Sequence, residues 1–83
     1  MTGRILYKSS VSRDLRKIAP NDVQRVLRQI RMVLEGNPES GEKLHGDFDG
    51  LLKLRIGEYW VIYALSGGDV VVLRVRHRAK AYE

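Results

Sequence analysis

The chain has 83 residues, enough for a single domain spanning 1–83 whose small core buries only about 60–65% of the unfolded surface. It is 43% hydrophobic and 30% charged, which excludes a disordered tail, and it has no cysteine, which excludes a disulfide framework and a thiolate metal site. Lys and Arg outnumber Asp and Glu 15 to 10 for a net charge of +5, a balance that suits polyanions or an acidic protein partner. The start, MTGRILYKSS, has no apolar leader region, and no run approaches the ~18 apolar residues of a membrane span. A cytoplasmic protein without membrane contact is therefore expected.

ILYK at 5–8 is a candidate strand. Ser9 and Ser10 offer a cap for a helix with Val11, Leu15 and Ile18 at helical spacing, which Pro20 is expected to end. Asn21, with Gln24 three residues on, is expected to cap the next helix. In that helix Val23, Val26, Leu27, Ile30, Val33 and Leu34 form one apolar stripe, and Arg25, Arg28 and Arg31 lie off it. Gly36 stands where a C-cap glycine belongs, and Pro38 blocks resumption. The segment 36–50 reads as a polar loop with four glycines. Then 51–56, 58–65 and 70–77 read as strands, with turns at Gly57 and at SGGD (66–69). The order β-α-α-β-β-β predicts an α+β domain: an αα-hairpin packed on one face of a small, mostly antiparallel sheet.

Side chains alternate along a strand, so each strand carries two rows. Leu52, Leu54 and Ile56 share one row; so do Tyr59, Val61, Tyr63 and Leu65, and so do Val71, Leu73 and Val75. These rows suit the helix-facing side. The opposite side is expected to gather Lys53, Arg55, Trp60, Arg74, Arg76 and Arg78, together with Val70 and Val72, and no acid. A cationic sheet face containing an indole suits RNA, because arginines take phosphates and an aromatic ring stacks an unpaired base. The competing reading is a solvated face whose edge cations prevent aggregation.

The helix pair ending in LEGNP, the stretch GEKLHGDFDGLLKLRIGEYWVIY and the ending VVVLRVRHRAKAYE together resemble the RelE/ParE superfamily of toxins from type II toxin–antitoxin systems, over nearly the whole chain. The HR…Y ending favours the RelE branch. That resemblance implies a metal-independent endoribonuclease that cleaves mRNA at the ribosomal A site and is held inactive by an acidic, RelB-like antitoxin in a toxin–antitoxin hetero-oligomer. No cofactor is implied. The implied reaction is a transesterification, in which the RNA 2′-hydroxyl attacks the adjacent phosphate and the 5′-oxygen leaves.

Within this resemblance Lys53, Arg55, Arg78 and Tyr82 match catalytic positions, and Trp60, Arg74, Arg76 and Lys80 are the expected RNA contacts. Arginine is no base at neutral pH, so Arg55 and Arg78 are expected to stabilise charge. Lys53 is a phosphate clamp or an acid–base group, and Tyr82 orients or stacks the RNA. The chain departs from the family pattern at Trp60, where RelE-like sequences usually carry Arg. Losing one such stabiliser costs about 10²–10³ in rate unless Arg74 or Arg76 compensates.

His77 adjoins Arg78 and is a further acid–base candidate, although strict alternation puts it on the Val75 side. His45 reads as a solvated loop residue, and two distant histidines with scattered loop acids do not make a metal site. Two other functions fit the same chain: a ParE-like protein that poisons gyrase through an interface, and a catalytically silent antitoxin-binding module.

Overall fold

The computed structural model describes residues 3–80. The apolar stripe becomes the helix α2 (Pro20–Gly36), which buries Val26, Ile30 and Leu34 at i, i+4 and i+8. Its start differs from the expected one. Pro20 opens α2 at N1 rather than closing the helix before it, and Ala19 rather than Asn21 is the N-cap. Proline's missing N–H is an orphan at N1 in any case, and its fixed φ suits the first turn. At the other end Gly36 is the last helical residue, and the C-cap is the extended Asn37, whose side-chain oxygen accepts from the Glu39 N–H at 3.1 Å.

The shorter helix α1 (Ser9–Leu15) follows directly on the edge strand β1 (Ile5–Tyr7). Ser9 and Ser10 do not cap it; Lys8 holds the N-cap position without a side-chain bond. Val11 is buried, while Leu15 and Ile18 pack partly against the core, Ile18 from beyond the helix end.

The sheet has five strands rather than four, because Glu42–Lys43 forms a two-residue strand, β2, inside the loop expected at 36–50. With β3 (Leu51–Ile56), β4 (Tyr59–Ser66) and β5 (Asp69–His77), the order is β1-β5-β4-β3-β2. Only the β1–β5 pairing is parallel, so the sheet is mixed but mostly antiparallel, as expected. Gly67 and Gly68 join β4 to β5 with φ of 57° and 87°, the positive pair that a two-residue type I′ turn demands.

The core lies between the helices and one sheet face. Leu52, Ile56, Tyr59, Val61 and Tyr63 supply it from β3 and β4, on the expected rows. Tyr63 is fully buried, and burial pushes its hydroxyl pKa up. The hydroxyl donates to the Pro38 carbonyl at 2.8 Å and accepts from the Gly41 N–H at 2.9 Å, which fastens the 38–41 loop to the sheet. A Cβ at Gly41 would meet that hydroxyl at 2.7 Å, so the contact needs glycine.

β5 breaks the expected alternation. Val70, Val72 and Val75 are the buried residues, not Val71, Leu73 and Val75. The register runs Tyr63↔Val72 and then Ile62↔Arg74, which leaves Leu73 as an extra residue in a β-bulge. One extra residue shifts the pleat by one position, so valines on both sides of it face inward.

β1 pairs with β5 only as far as Val72, and beyond it α1 takes up backbone groups of the β5 edge. The Ser10 hydroxyl donates to the Leu73 carbonyl at 2.6 Å, and Asp14, one turn on, accepts the Val75 N–H at 3.0 Å. Arg74 completes the arrangement with two hydrogen bonds to the Asp14 carboxylate, at 2.9 and 3.0 Å. Burial alone would raise the Asp14 pKa, but the hydrogen bonds from Arg74 and Val75 outweigh it and hold the carboxyl below its usual range.

Because the folded pKa lies below the unfolded one, the Asp14 contribution is complete above pH ~4 and is lost as pH falls through the folded value. Asp14→Asn should cost about 1–3 kcal/mol at pH 7, the pair being discounted because the Arg74 side chain is 44% exposed. Urea unfolding at pH 7 and pH 3 should show a smaller acid-induced loss in the variant than in the parent. Equal losses would show that this carboxylate does not couple to folding.

Candidate nucleic-acid interface

A two-residue turn keeps β3 and β4 in pleat phase, and the bulge at Leu73 brings the end of β5 into the same phase. Arg55 lies opposite Trp60, and Trp60 opposite Arg76; one step along, Lys53 lies opposite Ile62 and Ile62 opposite Arg74. Directly opposed residues share a face. Lys53, Arg55, Trp60, Arg74 and Arg76 therefore all rise from the face away from the helices.

Trp60 is half-buried there, not part of the core. The Lys53 ammonium sits 4.5 Å from the centroid of its ring, and the Arg55 guanidinium carbon sits 6.0 Å away. Both lie within reach of the electronegative ring face. Arg55 is also braced by its Nε–H, which donates to the Gly57 carbonyl at 3.1 Å. Arg76 is half-buried opposite the indole and close enough to Asp14 to bias its ionisation.

Acids approach this face, contrary to the reading from alternation. Asp14 engages the Arg74 guanidinium, Glu42 of β2 lies directly opposite Lys53, and Glu58 comes within 4.0 Å of Arg78. Arg78 is exposed; it follows β5 in a 3-10 turn (Arg78–Lys80) and is tied to the β3–β4 turn by its N–H bond to the Glu58 carbonyl at 2.8 Å. Tyr82 and the Lys80 side chain lie outside the described residues.

His77 points the other way. It lies opposite Tyr59 on the helix-facing side, its ring edge-on to Tyr59 with centroids 5.3 Å apart, and its Nδ1 accepts from the Ala79 N–H at 3.1 Å. Burial pushes the Tyr59 hydroxyl pKa up, and the neighbouring Asp22 carboxylate, which accepts from it at 3.3 Å, pushes the same way. This cluster braces α2 against the sheet end. Among the described residues no group of three His, Cys, Asp or Glu could hold a metal ion, and no helix is long and apolar enough to cross a membrane.

Alternation did not single out Phe48, which is 61% exposed in a 3-10 turn (Gly46–Phe48) and borders the same face. The signal was there: one large aromatic in an otherwise polar, glycine-rich loop. Asp14 carried no comparable signal, since it reads as one more solvated helix residue.

Replacing Trp60 with arginine should leave the domain folded, because the side chain at 60 reaches solvent. It would place a third cation directly between Arg55 and Arg76, and like charges opposed across strands cost about 0.2–1 kcal/mol per pair. Thermal melting of Trp60→Arg should fall by several degrees at low salt and recover much of that at high salt. Complete unfolding would mean the indole is a core residue.

The family model for the ParE toxin of type II toxin–antitoxin systems matches residues 5–82. The RelBE2 toxin–antitoxin complex of Mycobacterium tuberculosis contains a chain with a TM-score of 0.86 and 27% identity, over 94% of this chain and 100% of that one. The archaeal RelE–RelB complex of Pyrococcus horikoshii gives 0.70 and 28%, over 98% and 100%. YafQ of E. coli shares the fold, with a TM-score of 0.70 at 17% identity over both full chains. No curated protein matches. A model covering nearly the whole sequence, together with the helix pair and five-stranded mixed sheet, places this chain in the ParE toxin family, as a RelE/ParE-superfamily toxin of a type II toxin–antitoxin system.

Proposed function

We propose that this toxin is a metal-independent endoribonuclease acting on mRNA at the ribosomal A site in the cytoplasm. The observation that carries the reading is the convergence of Lys53, Arg55 and Arg76 around Trp60 on one face of three adjacent strands. The resemblance to RelE-like toxins supplies the chemistry. The 2′-oxygen bonds to phosphorus, the P–O5′ bond breaks, the 2′-hydroxyl proton passes to a base and the leaving 5′-oxygen takes one up, giving a 2′,3′-cyclic phosphate.

Arginines are suited to hold the charge that builds on the phosphate rather than to move protons. Arg76, Arg55 and Arg78 take that role here. Lys53 clamps a phosphate or shuttles a proton, and Tyr82 orients the RNA. Arg74 contributes less than its place in the row suggests, because Asp14 already holds its guanidinium. His77 has no part, since its ring packs against Tyr59 on the far side of the sheet.

The partner that silences such a face is an acidic, RelB-like antitoxin with an amphipathic segment. Leu6, Val71, Ala64 and Leu51 align in one apolar row across the outer face, beside the cations. A segment with an apolar stripe and flanking carboxylates complements both parts.

A gyrase poison is the second reading, favoured by the ParE family match and by Trp60 in place of a catalytic arginine. Translating ribosomes and, separately, gyrase with supercoiled DNA should be incubated with the purified toxin. New mRNA 5′-ends with cyclic phosphate on the upstream fragment are the expected result. Gyrase-dependent DNA breaks with intact mRNA would replace the proposal with the second reading.

Paired substitutions separate the two faces of the sheet. Arg78→Ala should abolish growth inhibition and cost no more than about 1 kcal/mol, since the residue is exposed. His77→Asn keeps an acceptor for the Ala79 N–H and loses only the edge contact with Tyr59, so toxicity should persist with a slightly lower melting temperature. Loss of toxicity in a folded His77→Asn would return the imidazole to the active site.

A further inference from the structure

The cations and the indole explain a phosphate site, but not the apolar surface beside them. A groove of about 680 Å3 opens on the outer face, within the volume range of small-ligand sites. Leu44 and Phe48 line it from the loop side, and Trp60, Ile62 and Leu73 from the sheet. Leu73 stands there because the bulge gives it a place outside the alternating ladder. Lys53 and Arg76 border the same space. Phe48 is 61% exposed, an aromatic surface that water covers poorly.

Two occupants suit a groove of aromatic walls and positive charge: a nucleotide of single-stranded RNA, or an acidic amphipathic peptide. The spacing of charge and ring separates them. Here the Lys53 ammonium lies 4.5 Å from the indole centroid, so charge and aromatic surface coincide. A nucleotide has the same layout, a planar ring beside its own phosphate. An amphipathic helix puts its charged and apolar surfaces on opposite sides. A free anion would leave the apolar walls without purpose.

We propose that this groove receives one unstacked nucleobase of the RNA, held between Trp60 and Phe48 with its flanking phosphates on Lys53 and Arg76. The proposal deepens the ribonuclease reading and rests on it. Trp60 and Phe48 then select the nucleotide next to the cleaved bond, and the departure from arginine at position 60 exchanges a cation for base recognition. Stacking on aromatic side chains tolerates every base, and any preference among them follows stacking strength.

Trp60 is the only tryptophan in the chain, so fluorescence excited selectively at tryptophan, beyond the absorption of the four tyrosines, reports on the groove. The full-length toxin is titrated with a fully 2′-O-methylated RNA oligonucleotide, which has no free 2′-hydroxyl and is not cleaved, and with an abasic oligonucleotide of the same backbone. The base-bearing strand should quench Trp60 and bind about tenfold or more tightly than the abasic one. With a labelled strand read by anisotropy, Phe48→Ala and Trp60→Ala should each erase most of that difference, and Trp60→Phe should retain it.

Equal binding of the two strands would overturn the proposal, as would unchanged base dependence in a folded Phe48→Ala. Equal binding combined with a blue-shifted Trp60 emission on adding the purified antitoxin would assign the groove to protein docking instead. The two readings fail separately. Cleavage of mRNA with an unaltered site preference in Phe48→Ala would remove the groove and leave the nuclease. Base-dependent quenching without any mRNA cleavage would remove the nuclease and leave an RNA-binding groove.

Discussion

The joining of the β5 cations to the outer face depends on the bulge at Leu73, and α1 packs beside it. A strand reading VVVLRVRH cannot place all its useful valines inward by simple alternation. One extra residue between Val72 and Arg74 resolves this, so that Val70, Val72 and Val75 enter the core while Arg74 and Arg76 turn outward. Past the end of β1 the edge of β5 presents a carbonyl and an N–H in a part-buried region, where unpaired backbone groups cost about 1–3 kcal/mol each. Ser10 and Asp14, four residues apart and so on one side of α1, reach those two groups. A helix of seven residues is too short to be stable alone, and this contact explains why it persists.

Among the described residues Asp14 is the one buried charged side chain, at 6% exposure, and it is ionised at neutral pH. Its neutralisation by Arg74 removes one cation from the outer face and leaves the rest better defined. Lys53 is held against the indole, Arg55 against the Gly57 carbonyl, and Arg78 near Glu58. None of these restraints is strong, since exposed ion pairs and cation–π contacts are worth about 0–1 kcal/mol each. They can therefore yield to a phosphate. A preorganised but weakly committed set of cations suits the RNA site proposed above, where binding would weaken steeply with salt.

The family match and the structural neighbours point to the two branches of one superfamily, and in the function proposed above Trp60 is the residue on which the choice between them turns. With arginine at that position the centre of the face would be a phosphate site alone. With tryptophan the face carries an indole that borders the apolar groove, and Arg76 lies directly opposite it. The same surface then offers an antitoxin an apolar row and a cationic end side by side.

Much of this was legible in the residues. The α2 stripe, the alternation of β4 and the KLR of β3 each lie within one uninterrupted element, where a local period is enough to assign faces. Lys53, Arg55 and Trp60 could be put on one surface for that reason, since the intervening turn keeps the pleat in phase. Pro20 misled because proline both ends helices and begins them, and only the path of the chain from Ala19 decides between the two. The two-residue β2 has no period to detect; it exists because β3 offers it a partner. The bulge, the task of Asp14 and the groove between Phe48 and Trp60 belong to the tertiary structure for one physical reason. Each depends on contacts between residues tens of positions apart, Asp14 with Val75 and Phe48 with a face built from three strands. No periodicity within a strand or helix carries that information, because the pairing of distant backbone groups sets it.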